Sequence, residues 1–256
     1  MEREDSTYSN LYDKHLDYRS VLLDTGPRFY IRTRHMMRFF PSNPKHIIDI
    51  GCGDGFFLER LTKKGLIVDG IDASAQAVKL CKERLGGASG HIECCLIEEY
   101  KPKYLYDLLL CGEVLEHIED DEHFLEEISR LAAINAVLIL TVPLDMSLWS
   151  KADENAGHFR RYTKSEIFSK LQKAGFIIEE YVIWGFPITR FLMPYIRKQQ
   201  TKMMKVPGAK HPERRRKMIS RFKIIFKPLK YIFVIDNLFN FTEKGVDIVI
   251  RARKRC

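Results

Sequence analysis

No apolar run in this 256-residue chain approaches the roughly 18 residues a membrane-spanning helix needs. The opening MEREDSTYSNLYD is too polar for a secretory signal. A Cys-x-x-Cys pair is also missing. The six cysteines, Cys52, Cys81, Cys94, Cys95, Cys111 and Cys256, fall mostly within apolar strands, which argues against a zinc site or a disulfide framework. They read as small buried hydrophobes in a reducing compartment. Acidic residues are nearly absent from one stretch. Between Arg190 and Lys230 stand 14 Lys or Arg against the single acid Glu213, a local balance of +13 in a chain whose total is +8, so the remainder is net acidic. These absences leave a cytoplasmic protein that is soluble or peripheral to a membrane.

What is present begins with HIIDIGCGDGFF, residues 46–57, and VDGIDAS, residues 68–74. The run Ile47, Ile48, Ile50 suits a central parallel strand, and Gly51, Gly53 and Gly55 form a turn where backbone can approach a ligand closely. Val68, Ile71 and the terminal Asp72 read as the neighbouring strand. Asp72 falls roughly 20 residues after Gly51, the separation between a glycine loop and a carboxylate that holds ribose hydroxyls. A dinucleotide fingerprint would need a third glycine where Phe56 stands, and no lysine followed by Ser or Thr closes the turn as a P-loop would. What remains is D-x-G-x-G-x-G, opened by Asp49.

That motif resembles the class I S-adenosylmethionine (SAM) dependent methyltransferases, and the segment EVLEH, residues 113–117, is similar to that of the ubiquinone-biosynthesis O-methyltransferases. Further strands are expected at Leu108 to Cys111, at 132–143 and after Gly175. A last edge strand is expected at 246–252, with Val246, Ile248 and Ile250 on one face. Strands alternating with helices imply a doubly wound α/β sheet. The resemblance implies a Rossmann-like sheet of seven strands, mostly parallel with an antiparallel last strand. The domain organisation read from the chain is an N-terminal helical cap over 1–45, a cofactor-binding core over 46–187, a basic helical insertion over 188–240 and the last strand over 241–256.

The resemblance assigns cofactor contacts to Asp49, Gly51, Cys52, Gly53 and Gly55, to Asp72 and Ala73 at the ribose, to Leu96 and Ile97 beside the adenine, and to Cys111 near the methionine. Many relatives carry an Asp at the end of the third strand for the adenine amino group, whereas IECCLIEEY has no Asp, and the first acid beyond the strand's end is Glu98. Arg32, on the helix expected before the first strand, is the candidate cation for the methionine carboxylate. A helix reading of 113–117 puts Glu113, Glu116 and His117 at i, i+3 and i+4 on one face. Such a face can hold a divalent ion such as Mg, as the resemblance implies, or Glu116 and His117 can simply pack or cap the helix. The catalytic candidates are Glu113, His117 and His158, a histidine of the GHFRRY loop whose alternative is a structural role.

The segment CGEV replaces the Asn/Asp-Pro-Pro-Tyr turn of amine-methylating relatives. This favours an oxygen or carbon acceptor on a small-molecule, lipid-like or glycan-linked substrate. KMISRFKIIFKPLKYIFV, residues 217–234, reads as a basic amphipathic helix interrupted at Pro228, with Met218, Phe222, Ile225, Phe226, Leu229, Ile232 and Phe233 as its apolar stripe. Three uses stay open: docking on an anionic membrane surface, a lid packed on the domain, or an RNA backbone contact in an RNA methyltransferase. A non-catalytic SAM-binding protein is the remaining alternative.

Overall fold

A computed structural model describes residues 27–88, 90–192, 194–195 and 233–255. Seven strands form one sheet in the order β3-β2-β1-β4-β5-β7-β6. They are β1 (Ile47–Ile50), β2 (Val68–Asp72), β3 (Ile92–Cys94), β4 (Tyr106–Gly112), β5 (Ala132–Pro143), β6 (Phe176–Trp184) and β7 (Asp247–Lys254). The first five are parallel, and β7 pairs antiparallel with both β5 and β6. Helices α1 (Pro27–Arg38), α2 (Phe56–Thr62) and α3 (Ala75–Leu85) precede β4, and α4 (Asp121–Leu131), α5 (Lys151–Ala156) and α6 (Lys164–Lys173) follow it.

The apolar alternation of the strands decides which helices cover which face. Ile48, Ile50, Leu109, Leu138 and Ile250 share one core with Phe124 and Ile128 of α4 and with Ile167 and Leu171 of α6. Ile47, Leu108, Leu110, Ile139 and Val249 share the other with Ile31 and Met36 of α1, Leu58 and Leu61 of α2, and Val78 of α3. All four residues of β1 are buried, as a strand covered on both faces requires. Side chains set the helix starts. Ser74 accepts the Ala77 amide at the head of α3, Asp120 that of His123 at α4, and Thr163 with Glu166 forms a capping box at α6.

Several expectations are corrected. The last strand is not an edge strand, because β7 inserts between β5 and β6 and leaves β6 at the margin. Asp247 and Val249 are therefore buried as fully as Ile248 and Ile250. Residues 113–117 do not form an α-helix. After Gly112 pairs with Thr141, Glu113 turns with φ 61° and its amide bonds the Thr141 carbonyl at 3.1 Å. Only a single 3₁₀ turn follows, Leu115–His117, so the i, i+3, i+4 spacing places no common face. Cys94 is exposed, whereas Cys52, Cys81 and Cys111 are buried as expected.

Most of the basic helix expected over 217–234 lies outside the described residues. Its end is described: Phe233 is fully buried in the core shared with α1 and Trp184. A 3₁₀ helix, Val234–Thr242, then leads into β7.

Candidate active site

The strand order reverses between β1 and β4, and in folds of this kind ligands sit outside the carboxyl ends of the strands at such a switch point. On the β1 side, Gly51, Gly53 and Gly55 have φ of 75°, 56° and 79°, a region costly to residues with a Cβ. The Gly51 and Cys52 amides both donate to the Ile71 carbonyl, at 2.8 and 3.0 Å, fixing the turn to β2. A Cβ on Gly51 would overlap Val114 Cγ2, so the β4 turn packs directly on the glycine turn.

Asp72 ends β2 and binds the loop from below. Its Oδ2 accepts the Gly53 amide at 2.8 Å and its Oδ1 the Ser74 amide at 2.9 Å. Ala73 follows, and its carbonyl lies 3.8 Å from the Cys94 thiol. Leu96 and Ile97 stand in the turn beyond β3, where Ile97 is buried. Cys111 is buried in β4, and burial pushes its thiol up. Asp49 is 5% exposed. Burial, reinforced by the Asp72 charge and opposed by Arg32, pushes its carboxyl up to about 8.

Arg32 and Glu113 form an ion pair. Arg32 Nη1 lies 3.2 Å from Glu113 Oε2, and Arg28 Nη2 lies 3.5 Å from the same oxygen. Thr141 Oγ1 donates to Glu113 Oε1 at 3.1 Å. Burial raises the Glu113 carboxyl, but Arg32 and Arg28 outweigh it and hold the group below its ordinary range. Arg28 also donates from Nε and Nη2 to buried Asp247 of β7 at 3.1 and 2.5 Å. Arg32 Nε, though buried, has no hydrogen-bond partner among the described residues.

The structure brings Glu116 and His117 together with His158, not with Glu113. Ligand atoms of these three lie within 4.8 Å of one another. The loop after α5 is stitched onto the 3₁₀ turn: the Phe159 amide donates to the Glu116 carbonyl at 2.8 Å, and Tyr162 OH donates to the Leu115 carbonyl at 3.2 Å. The His117 and His158 rings stand nearly perpendicular with centroids 4.5 Å apart. His117 Nδ1 lies 3.3 Å from the Gly157 carbonyl, and His158 Nδ1 lies 3.3 Å from Asp153 Oδ1. Glu116 is fully buried, and neither carboxyl oxygen has a hydrogen-bond partner among the described residues, His158 Nε2 lying 4.0 Å from Oε1. Burial and then repulsion from Glu113 raise its carboxyl well above the ordinary range.

Three contributors escaped the reading of the sequence. Asp153 accepts from Arg161 Nε and Nη2 at 3.0 and 2.6 Å and from the Ser150 amide and hydroxyl at 2.9 and 2.8 Å. These partners and His158 hold it below the ordinary carboxylate range despite burial. Its signal was the Ser-x-x-Asp capping box. Arg28 stands four residues before Arg32 on the same helix face. Asp247 is an acid inside an apolar strand, which calls for a buried partner.

A family profile described as a methyltransferase domain matches residues 23–181. A ubiquinone biosynthesis O-methyltransferase of Coxiella burnetii is 30% identical over 104 residues, covering 40% of this chain and 44% of that protein. The chain thus spans less than half the length of that relative. One from Glaesserella parasuis is 27% identical over 173 residues, covering 57% of this chain and 71% of that protein. Among solved structures, a SAM-dependent methyltransferase of Thermotoga maritima, described as a possible histamine N-methyltransferase, superposes with a TM-score of 0.63 at 15% identity, covering 97% of this chain and 100% of that one. A phosphoethanolamine N-methyltransferase of Haemonchus contortus in complex with SAM gives 0.63 at 18% identity, covering 99% of this chain and 59% of that one. At such identities the superpositions speak to the fold.

Proposed function

Because the chain belongs to the methyltransferase domain family, we propose that it is a class I SAM-dependent enzyme that methylates an oxygen of a small, lipid-like acceptor. The observation that carries this reading is the cluster of buried Glu116 and His117 with half-buried His158, which begins two residues beyond the Val114 contact with Gly51. Methyl transfer from a sulfonium is an in-line displacement, and a hydroxyl acceptor must also lose a proton. Proton-handling groups beside the expected methyl position suit that requirement.

The residues on the cofactor side fit SAM chemically. Gly51, Cys52, Gly53 and Gly55 offer close backbone, and Asp72 with Ala73 faces the ribose. Leu96 and Ile97 take the adenine, while Asp49 and Cys111 lie toward the methionine. The unpartnered Nε of Arg32 is the donor a methionine carboxylate would satisfy. Glu113, committed to Arg32 and Arg28, acts by holding those arginines rather than by meeting the acceptor.

A lipid-like acceptor also accords with the surface. Ile235, Leu238 and Phe241 recur at the three-residue period of their 3₁₀ helix and are 46%, 72% and 81% exposed. Phe191, on the helical segment 188–192, is 70% exposed. Between these two segments the sequence carries more than the whole of its net positive charge. An apolar stripe beside many cations is the combination that binds anionic lipid surfaces.

Incubation with methyl-labelled SAM and a phenolic lipid extract tests the acceptor class. Label should enter the organic phase as a base-stable ether. Label found only in RNA, or only in amines, contradicts the reading.

A further inference from the structure

We propose that Phe56 is a positioning residue for the cofactor, aiming Arg32, through Phe29, at the methionine carboxylate of SAM. The inference rests on the cofactor reading above. Phe56 stands where a dinucleotide loop would carry its third glycine. It opens α2 directly after Gly55, so its backbone continues the glycine turn and the turn fixes where its ring begins.

The ring is held on two sides. The Arg84 guanidinium of α3 lies over it, with Cζ 3.5 Å from the centroid. Arg84 is itself tied to the turn: its Nε donates to the Asp54 carbonyl at 2.8 Å, and it pairs with the carboxylates of Asp54 at 3.3 Å and Glu59 at 3.6 Å. On the other side Phe29 of α1 meets Phe56 edge to face, with centroids 6.2 Å apart and planes at 70°. Phe29 in turn lies beneath Arg32, whose Cζ is 5.7 Å from its centroid. Edge-to-face rings and a cation over a ring face both have preferred geometries. The series Arg84, Phe56, Phe29 and Arg32 therefore passes the position of the glycine turn on to a cation of another helix. A second tie fixes the register of the two helices, since Arg60 Nη1 of α2 donates to buried Thr33 Oγ1 of α1 at 2.6 Å.

Arg32 is a side chain that benefits from such restraint. Its Nη1 is engaged by Glu113 at 3.2 Å, while its buried Nε has no partner among the described residues. A buried donor left unpaired is costly, and an incoming carboxylate would satisfy it. Arginine has much rotamer freedom to lose on binding, and ordering it beforehand strengthens the contact.

Calorimetry of the full chain with SAM and with decarboxylated SAM, which keeps the sulfonium, ammonium, ribose and adenine, tests the role. Phe56→Leu should weaken SAM on the order of tenfold, about the worth of one charge-assisted hydrogen bond. Decarboxylated SAM should bind it unchanged, which also shows that the variant folds. Phe29→Leu, altered outside the turn, should reproduce this selective loss, and Phe56→Tyr, which keeps the ring, should restore SAM affinity. In an Arg32→Ala background Phe56→Leu should cost nothing further, because both changes act on one contact. Equal losses for the two ligands, unchanged SAM affinity in Phe56→Leu, or additive losses in the double variant overturn the role. If the unaltered chain binds neither ligand, the cofactor reading falls and takes this role with it; a loss without selectivity in a chain that binds both removes the role of Phe56 alone.

Discussion

Asp49 is the residue whose chemistry is most exposed to test. Its carboxyl is pushed up to about 8 by burial and by Asp72, against about 3.9 for an unfolded Asp. Below the unfolded value both states are protonated. Between about 4 and 8 the unfolded chain has released a proton that the folded chain keeps, so stability falls as pH rises through that window and levels off beyond it. A cationic cofactor reverses the balance, since it favours ionised Asp49. SAM binding below pH 8 should therefore release up to one proton, and affinity should rise with pH toward that value. Calorimetry in buffers of different ionisation enthalpy counts the proton, and Asp49→Asn should abolish both effects. A pH-independent SAM affinity in the unaltered protein contradicts the assignment.

At the scale of elements, the contact between the β1 and β4 turns makes the site one unit. Gly51→Ala adds a Cβ at φ 75° that overlaps Val114. It should lose about 1–2 kcal/mol to the left-handed backbone, and a further amount to the collision. Gly51→Ala combined with Val114→Ala should recover the steric part alone. Urea midpoints of the two singles and the double separate the terms, and additive losses would show that the turns do not touch.

The strands β1, β2, β4 and β5 were legible because each is an apolar run bounded by turn residues, and Gly175 marked the end of α6. The glycine loop and Asp72 were legible by spacing. The Glu113 turn was not: EVLEH has a helical pattern, yet tertiary pairing of Gly112 with Thr141 and a left-handed Glu113 override it. His158 stood out as a residue, but its meeting with Glu116 depends on the loop stitched to the 3₁₀ turn, a long-range contact that no local pattern encodes. The interior position of β7 was hidden for the same reason, because strand order is set by packing across the whole sheet.

At the scale of the molecule, charge and exposed apolar surface point the same way. The basic surplus lies between two described segments that expose Phe191 on one side and Leu238 and Phe241 on the other. Flotation with anionic vesicles should recover the protein at low salt, less at high salt, and little with neutral lipid. Leu238→Asp with Phe241→Asp should reduce recovery several-fold without changing SAM affinity. Equal recovery with neutral and anionic vesicles would remove the membrane from the account.

The central claim is that the turns at the carboxyl ends of β1 and β2 hold SAM, and calorimetric titration with SAM and with NADH tests it most directly. The account predicts saturable one-to-one binding of SAM, no heat with NADH, and a loss in Asp72→Ala of at least tenfold, since each charge-assisted hydrogen bond to the ribose is worth about 1.5–3 kcal/mol. Binding of NADH without SAM, or unchanged SAM affinity in a folded Asp72→Ala protein, would contradict it.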